Sequence, residues 1–315
     1  MHDILTVTLN PAVDLSTSVD HVEAGPKLRC DRPMTDPGGG GINVSRAIGI
    51  LGGQSRAMVA VGGATGDMLL GLLANEGIST LPFDSPGATR QSLAVTDRGT
   101  GQQYRFVMPG PDWDQAQLNS VLKAIADAVP QGGYVVLSGS QPPGIPPEFA
   151  SLVCTALSAT GARVIVDTSG DALHHLAEAK TAPPFILRMD GEEAEGLAKR
   201  PLPTREDSAE FAASLVAKGA AEAVIVARGA DGSVLATKDE RLHAMAADVP
   251  VKSKVGAGDS FVGGFTLALA QGCDYGTALQ RGAASASAAV MTDATRLCTR
   301  EDAERLVAEC PLTRL

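Results

Sequence analysis

The sequence predicts an α/β fold, with a mostly parallel sheet carrying helices on both faces and a smaller β element set apart. Three observations predict it. Short apolar runs alternate with longer stretches of helical periodicity, the pattern of repeated βαβ units. The apolar runs have the length of strands buried in a sheet, and glycine-rich segments punctuate them. Two stretches, 15–37 and 90–108, break the alternation and read as something other than βαβ.

Residues 4–9 form the first predicted strand, and 15–37 is polar and irregular. A helix follows over 41–51, where Val44, Ala47, Ile48 and Leu51 recur at helical spacing and Gly52-Gly53 stops it. Strands are expected at 57–61, 134–137, 164–167, 185–187 and 224–227, with helices at 147–159, 205–218 and 257–270. Residues 91–96 and 103–108 read as the arms of a hairpin turning at Gly99 and Gly101. With 12–36 this hairpin would make a small β-sheet lid inserted in one α/β domain spanning 1–315; a decorative surface hairpin is the alternative. The Ala-rich stretch 282–289 reads as a closely packed helix.

At 315 residues the chain is long enough for one large or two modest domains. Its 44% hydrophobic and 20% charged residues exclude a disordered chain. Aromatics at 3% argue against stacking platforms for single strands, and a net charge of -10 argues against nucleic-acid or anionic-membrane partners. Five cysteines, odd in number, widely spaced and without C-x-x-C, exclude a disulfide framework and fit a reducing cytoplasm. The first residues lack a basic signal region, and no apolar run reaches 18 residues.

Four features carry chemistry. Gly38-Gly39-Gly40-Gly41-Ile42-Asn43 precedes a helix, so its backbone can approach a ligand closely and the Asn43 amide can bridge two sugar hydroxyls; a flexible loop is the plain alternative. Val255-Gly256-Ala257-Gly258-Asp259-Ser260 enters the apolar helix at 257–270. The N–H groups of Gly256, Ala257 and Gly258 would form an anion hole and Asp259 a base, the two parts phosphoryl transfer requires. An ordinary glycine loop with a helix-terminal carboxylate is the alternative. Lys27, Arg29, Arg90 and Arg105 fall in the two irregular segments and would clamp a phosphate if these meet, or else are solvated surface cations. Asp190-Gly191-Glu192-Glu193, after a strand, suits Mg²⁺ or simply an acid-rich helix start. G-x-x-x-x-G-K-[ST] and G-x-S-x-G are both absent, and the five His residues are scattered.

Taken together these motifs resemble the ribokinase-like (phosphofructokinase B) family of carbohydrate kinases almost end to end. Further matches are the stretches 8–14, 62–67, 103–110, 138–144 and 295–298. The resemblance implies a ribokinase-like three-layer α/β/α core and an ATP- and Mg²⁺-dependent sugar-phosphate kinase. The reaction it implies converts fructose 6-phosphate to fructose 1,6-bisphosphate. Gly40, where 1-phosphofructokinases and tagatose-6-phosphate kinases usually carry Lys, points to the 6-phosphofructokinase branch. Those sister activities, and a non-catalytic sugar-phosphate sensor, are the alternatives.

By the same resemblance Asp259 is the base and Gly256, Ala257 and Gly258 the anion hole. Asp14, Gly39, Gly40, Asn43 and Ser140 would hold the sugar, and Lys27, Arg29, Arg90 and Arg105 its phosphate. Arg188, Asp190, Ala227, Gly229, Gly232 and Lys254 would line the nucleotide, and Glu193, with Asp190, would hold Mg²⁺, directly or through water. A homodimer through the β lid is also implied. The nucleotide side departs from the family: Asp190 stands for Asn, Ala227 for a hydroxyl residue, Lys254 for Thr, and Thr292 and Ala294 for Asn and Gly. These changes leave a K⁺ requirement open, and Lys254 or Arg228 would supply the missing positive charge.

Overall fold

The computed structural model describes residues 2–178, 182–293 and 296–315, so Ala294 and Thr295 lie outside the described residues. The first half of the chain runs β1 (Ile4–Thr8), β2 (Ala12–Val19), β3 (Met34–Gly38), α1 (Gly40–Ile50), β4 (Arg56–Val61), α2 (Gly63–Asn75), β5 (Ser79–Asp84), β6 (Arg90–Asp97), β7 (Gln103–Val107), α3 (Gln115–Ala128) and β8 (Tyr134–Ser138). The second half runs α4 (Phe149–Leu157), β9 (Arg163–Asp167), α5 (Gly170–Ala177), β10 (Ile186–Met189), α6 (Gly191–Ala198), α7 (Arg205–Lys218), β11 (Ala223–Ala227), β12 (Ser233–Ala236) and β13 (Arg241–Ala244). It closes with α8 (Ala257–Ala270), α9 (Tyr275–Val290), α10 (Arg300–Leu306) and β14 (Leu312–Arg314).

A ten-stranded sheet takes the order β14-β13-β12-β11-β10-β9-β8-β1-β4-β5. Every neighbouring pair from β5 to β11 is parallel, and β12, β13 and β14 add an antiparallel edge. Successive strand residues divide between two cores. Ile4, Tyr134, Val136, Ile165 and Ile186 pack with α1, α8 and α9, whereas Leu5, Val135, Leu137, Val164 and Leu187 pack with α3, α4, α5 and α7. Apolar residues on both strand faces are what a sheet covered on both sides demands.

The chain leaves β1 toward β4 and β5, then returns to β8 on the other side of β1. That reversal places a crevice at the carboxyl ends of β1 and β8, the usual ligand position in such sheets. The N-terminus of α1 fills the rim of this crevice. A Cβ on Gly40 would lie 2.4 Å from Ser138 Oγ and 2.6 Å from Gly139 N, and one on Gly41 would lie 2.6 Å from Thr8 Oγ1. The glycine run is thus a close-packed helix start, not a flexible loop.

The second sheet, in the order β3-β2-β6-β7, corrects the reading of 15–37 as irregular. β2 lies at its centre, antiparallel to β3 and parallel to β6 over eight residues, Ala12↔Arg90 to Val19↔Asp97. The hairpin is present as β6 and β7. The expected helix at 147–159 begins at Phe149 and tightens to a 3₁₀ turn at Ser158–Thr160.

Helix α8 is buried from Ser260 to Ala270. Its glycines permit close neighbours: a Cβ on Gly263 would meet Ala47 Cβ at 2.7 Å, and one on Gly264 would meet Ser285 Oγ at 2.3 Å. Ala-rich α9 packs against it, as the small side chains of 282–289 anticipate.

Candidate active site

Helix α8 starts at Gly256, whose φ of 77° is left-handed and favours glycine. No side chain caps this end, and the Ala257 N–H reaches only the Lys254 carbonyl at 3.4 Å. A helix start without a cap offers its N–H groups and its positive dipole end to an anion. Asp259 follows in the first turn. Burial pushes its carboxyl up to about 6, opposed by a hydrogen bond from Asn43 Nδ2 to Asp259 Oδ2 at 3.0 Å. A carboxylate with that affinity for protons is ionised at neutral pH yet basic enough to take a hydroxyl proton.

Beside the loop lies an ion pair between Arg188 and Asp167. Arg188, expected at the nucleotide, is a buried residue on β10 that donates from Nη1 to Asp167 Oδ1 at 2.7 Å. Its guanidinium carbon sits 5.5 Å from the centroid of the Phe261 ring, and a Cβ on Gly258 would lie 3.3 Å from its Nη2. Arg188 therefore brings its positive charge against the anion loop at Gly258. Asp167, at the carboxyl end of β9, is a site residue the motif reading passed over. Its position at a strand end was the available signal.

On the sugar side Asp14 and Arg90 lie on the neighbouring strands β2 and β6. Burial raises the Asp14 carboxyl above its usual range, and the charges of Arg90 and, more weakly, Arg105 oppose this. A Cβ on Gly38 would strike the Asp14 carboxylate at 2.1 Å, so glycine there makes room for it. Arg90 ties the two sheets together through Nε and Nη2 to the Asn10 carbonyl, both at 3.2 Å, and Nη1 to the Met108 carbonyl at 3.3 Å. Asn10 in turn donates to Ser140 Oγ at 3.2 Å. Asn10, Arg90 and Ser140 line a cavity of about 650 Å³ at this mouth. Gly39, with φ 130°, caps α1 close by. Lys27 and Arg29 are exposed on the arm between β2 and β3, and the structure does not bring them into contact with Arg90 or Arg105.

The nucleotide side is mixed. Asp190 and Glu193 form a reciprocal capping box on α6: Asp190 Oδ1 accepts from the Glu193 N–H at 2.9 Å and Glu193 Oε2 from the Asp190 N–H at 2.8 Å. Capping occupies one oxygen of each carboxylate. Burial raises the Glu193 carboxyl; the hydrogen bond from the Asp190 N–H and, more weakly, the Arg188 charge oppose this, while the charges of Asp190 and Asp167 add to it. Among the described residues no group of three or more His, Cys, Asp or Glu could hold a metal by itself. The second oxygens of the two carboxylates nevertheless suit Mg²⁺, which keeps most of its water and takes further oxygens from phosphates.

Gly229 and Gly232 form the turn after β11 at Ala227, with φ of 61° and 88°. Gly232 also has a packing reason, since a Cβ there would lie 2.0 Å from the Ala244 carbonyl oxygen. Arg228 is tied into its own surroundings. Its guanidinium is held by Asp231 at 2.9 Å and by the carbonyls of Leu202 and Pro203 at 3.0 Å. Lys254, by contrast, is exposed immediately before the anion loop. A larger cleft of about 1000 Å³ lies at the amino end of β11, away from this site. Its Lys238, Arg241 and Arg314 are balanced by Glu222, Asp239 and Glu240.

A buried carboxylate with raised proton affinity beside an uncapped helix start, on a parallel sheet covered on both faces, is an arrangement suited to a phosphotransferase acting on a hydroxyl group. The comparisons sharpen that class. The family model described as pfkB family carbohydrate kinase matches residues 6–302, and the chain belongs to this family. It is 36% identical over 302 residues to the ATP-dependent 6-phosphofructokinase isozyme 2 of Mycobacterium tuberculosis, covering 96% of this chain and 88% of that protein. It is 32% identical to the 1-phosphofructokinase of Xanthomonas campestris, covering 97% and 94%. The crystal structure of phosphofructokinase-2 from Escherichia coli in complex with potassium superposes with a TM-score of 0.91 at 36% identity, covering 98% of this chain and 99% of that one.

Proposed function

We propose that this protein transfers the γ-phosphoryl group of ATP to the 1-hydroxyl of fructose 6-phosphate, giving fructose 1,6-bisphosphate, ADP and a proton. The observation that supports it most is the junction of the uncapped α8 start with Asp259, whose carboxyl stands at about 6. Asp259 accepts the hydroxyl proton as the oxygen attacks. The N–H groups at Gly256, Ala257 and Gly258 and the Arg188 charge beside them stabilise the charge on the moving phosphoryl group. Asp14, Asn43 and Ser140, with the backbone of Gly39 and Gly40, hold the sugar, and Arg90 and Arg105 receive its phosphate. Lys27 and Arg29 would join them only by movement of their exposed arm. ATP lies along Ala227, Gly229, Gly232 and Lys254, and Mg²⁺, which offsets phosphate charge when bound, is held through water at Glu193 and Asp190.

Gly40 favours fructose 6-phosphate over the substrates of the sister kinases, because the contact with Ser138 and Gly139 leaves no room for a Lys side chain on this backbone. The retained base and anion loop weigh against a non-catalytic sensor. With Arg228 engaged elsewhere, Lys254 alone is left to supply the extra donor-side charge. A dependence on K⁺ beyond about twofold, at equal ionic strength, would argue against that role. The test of the function is ADP release with ATP and Mg²⁺ against fructose 6-phosphate, fructose 1-phosphate, tagatose 6-phosphate and fructose. Preference for fructose 6-phosphate is expected; a higher kcat/KM with any of the others would overturn it.

A further inference from the structure

Behind Asp259 runs a chain of polar contacts that no motif announces. Asn43 donates from Nδ2 to Asp259 Oδ2 at 3.0 Å. The opposite atom of the same amide, Oδ1, accepts from Arg46 Nη1 at 3.2 Å. Arg46 is held from behind by Glu76, with Nε to Oε2 at 2.5 Å and Nη2 to Oε1 at 2.9 Å, and Nη1 reaches the Pro37 carbonyl at 3.5 Å. Its side chain is only 11% exposed, so this geometry is little competed for by water.

The chemistry of these groups fixes the direction of every link. A guanidinium has donors and no acceptor, so it can face only the amide oxygen. The amide nitrogen must then point the other way, toward Asp259, where a carboxylate can only accept. Without Arg46 the Asn43 amide could turn over and present its oxygen to the carboxylate, which repels it. Without Glu76 the guanidinium loses the bidentate hold that keeps it planar to the amide. The four residues belong to three elements: Glu76 caps the C-terminus of α2, Arg46 and Asn43 stand one turn apart on α1, and Asp259 opens α8.

We infer that Arg46, clamped by Glu76, is a positioning residue that sets the orientation of Asn43 and through it the aim of the Asp259 carboxylate at the reacting hydroxyl. This rests on the reading of Asp259 as the base. Arg46 reaches the base through Asn43, which also holds the sugar, and its charge itself lowers the Asp259 carboxyl, so its removal acts chiefly on turnover and to a smaller extent on sugar binding. Misdirecting a base by a fraction of an ångström costs roughly one to two orders of magnitude in rate.

The experiment is a kinetic cycle on the full-length protein with fructose 6-phosphate, ATP and Mg²⁺. Arg46→Met should lower kcat about tenfold, with KM for the sugar phosphate changed by a smaller factor because Asn43 also holds the sugar. Arg46→Lys, which keeps the charge and one donor toward Oδ1, should regain part of that loss. In an Asn43→Ala background Arg46→Met should lower kcat by less than about threefold more, because the link it acts through is already gone. A further loss of threefold or more in that background, or no loss from Arg46→Met in the native background, would overturn the relay. Asp259→Asn, run alongside, separates the two claims: retained turnover there removes the base assignment itself, whereas lost turnover with an independent Arg46 effect removes only the relay.

Discussion

At the scale of single residues, the proton affinity of Asp259 governs both rate and stability. Its carboxyl stands at about 6, above its ordinary 3.8, because burial penalises the charge. Below about pH 6 the base is protonated, so kcat/KM for the sugar phosphate should fall tenfold per pH unit on the acid side. The stability effect has the opposite sense. Between 3.8 and about 6 the folded chain holds a proton that the unfolded chain has released, so stability falls as pH rises through that window. At neutral pH the folded protein therefore carries this penalty in full, and Asp259→Asn should raise unfolding free energy by roughly 1–3 kcal/mol, read by urea denaturation. Arg90→Ala should raise KM for the sugar phosphate at least ~10-fold. An unchanged KM would remove Arg90 from the phosphate clamp. Asp259 and Arg90 were both legible as residues, since one follows a glycine run into a helix and the other lies in a hairpin outside the βαβ rhythm. Arg46 was not singled out, although it stands three residues after Asn43 on a predicted helix and so on the same face.

At the scale of elements, β9 and β10 carry the Asp167–Arg188 pair that lies beside the anion loop. Removing one partner of a buried pair strands the other charge, so Asp167→Ala should destabilise the protein by about 3–5 kcal/mol. Replacing both by apolar residues of similar volume should restore much of that stability while leaving turnover impaired. Equal stability for Asp167→Ala and the native chain would show the pair to be solvated. The parallel strands were legible because they are apolar on both faces. The individual strands β2 and β3 were not, although 12–36 was assigned to a β lid, for a physical reason: Asp14, Ser16, Thr17 and Ser18 are polar and only half-buried, so no apolar run marks them. Their strand geometry is imposed by pairing with β6, a partner more than 70 residues away in sequence. Arg188's partner Asp167, 21 residues earlier, was hidden as well, because a motif read along the chain carries no information about which strand lies beside it.

At the scale of the whole molecule, the sheet order places a crevice between β1 and β8, and the second sheet stands at its rim. Alternation in sequence foretold the layers, but not which strands flank the reversal. The second sheet leaves Met34 at 61%, Phe106 at 52% and Val107 at 65% exposure on its two edge strands, β3 and β7. A homodimer through this sheet would cover those on one face. Phe106→Asp should then shift the mass measured by light scattering from twice 32.2 kDa toward 32.2 kDa; a native protein already of single-chain mass would exclude the dimer.

The most direct test of the account is turnover by Asp259→Asn beside fructose 6-phosphate binding by the same variant. The account predicts a fall in kcat of at least ~10² with sugar-phosphate affinity within a few-fold of native, the signature of a lost base at an intact site. Near-native kcat in that variant would contradict it, and would mean that the acceptor proton leaves by a route that does not involve Asp259.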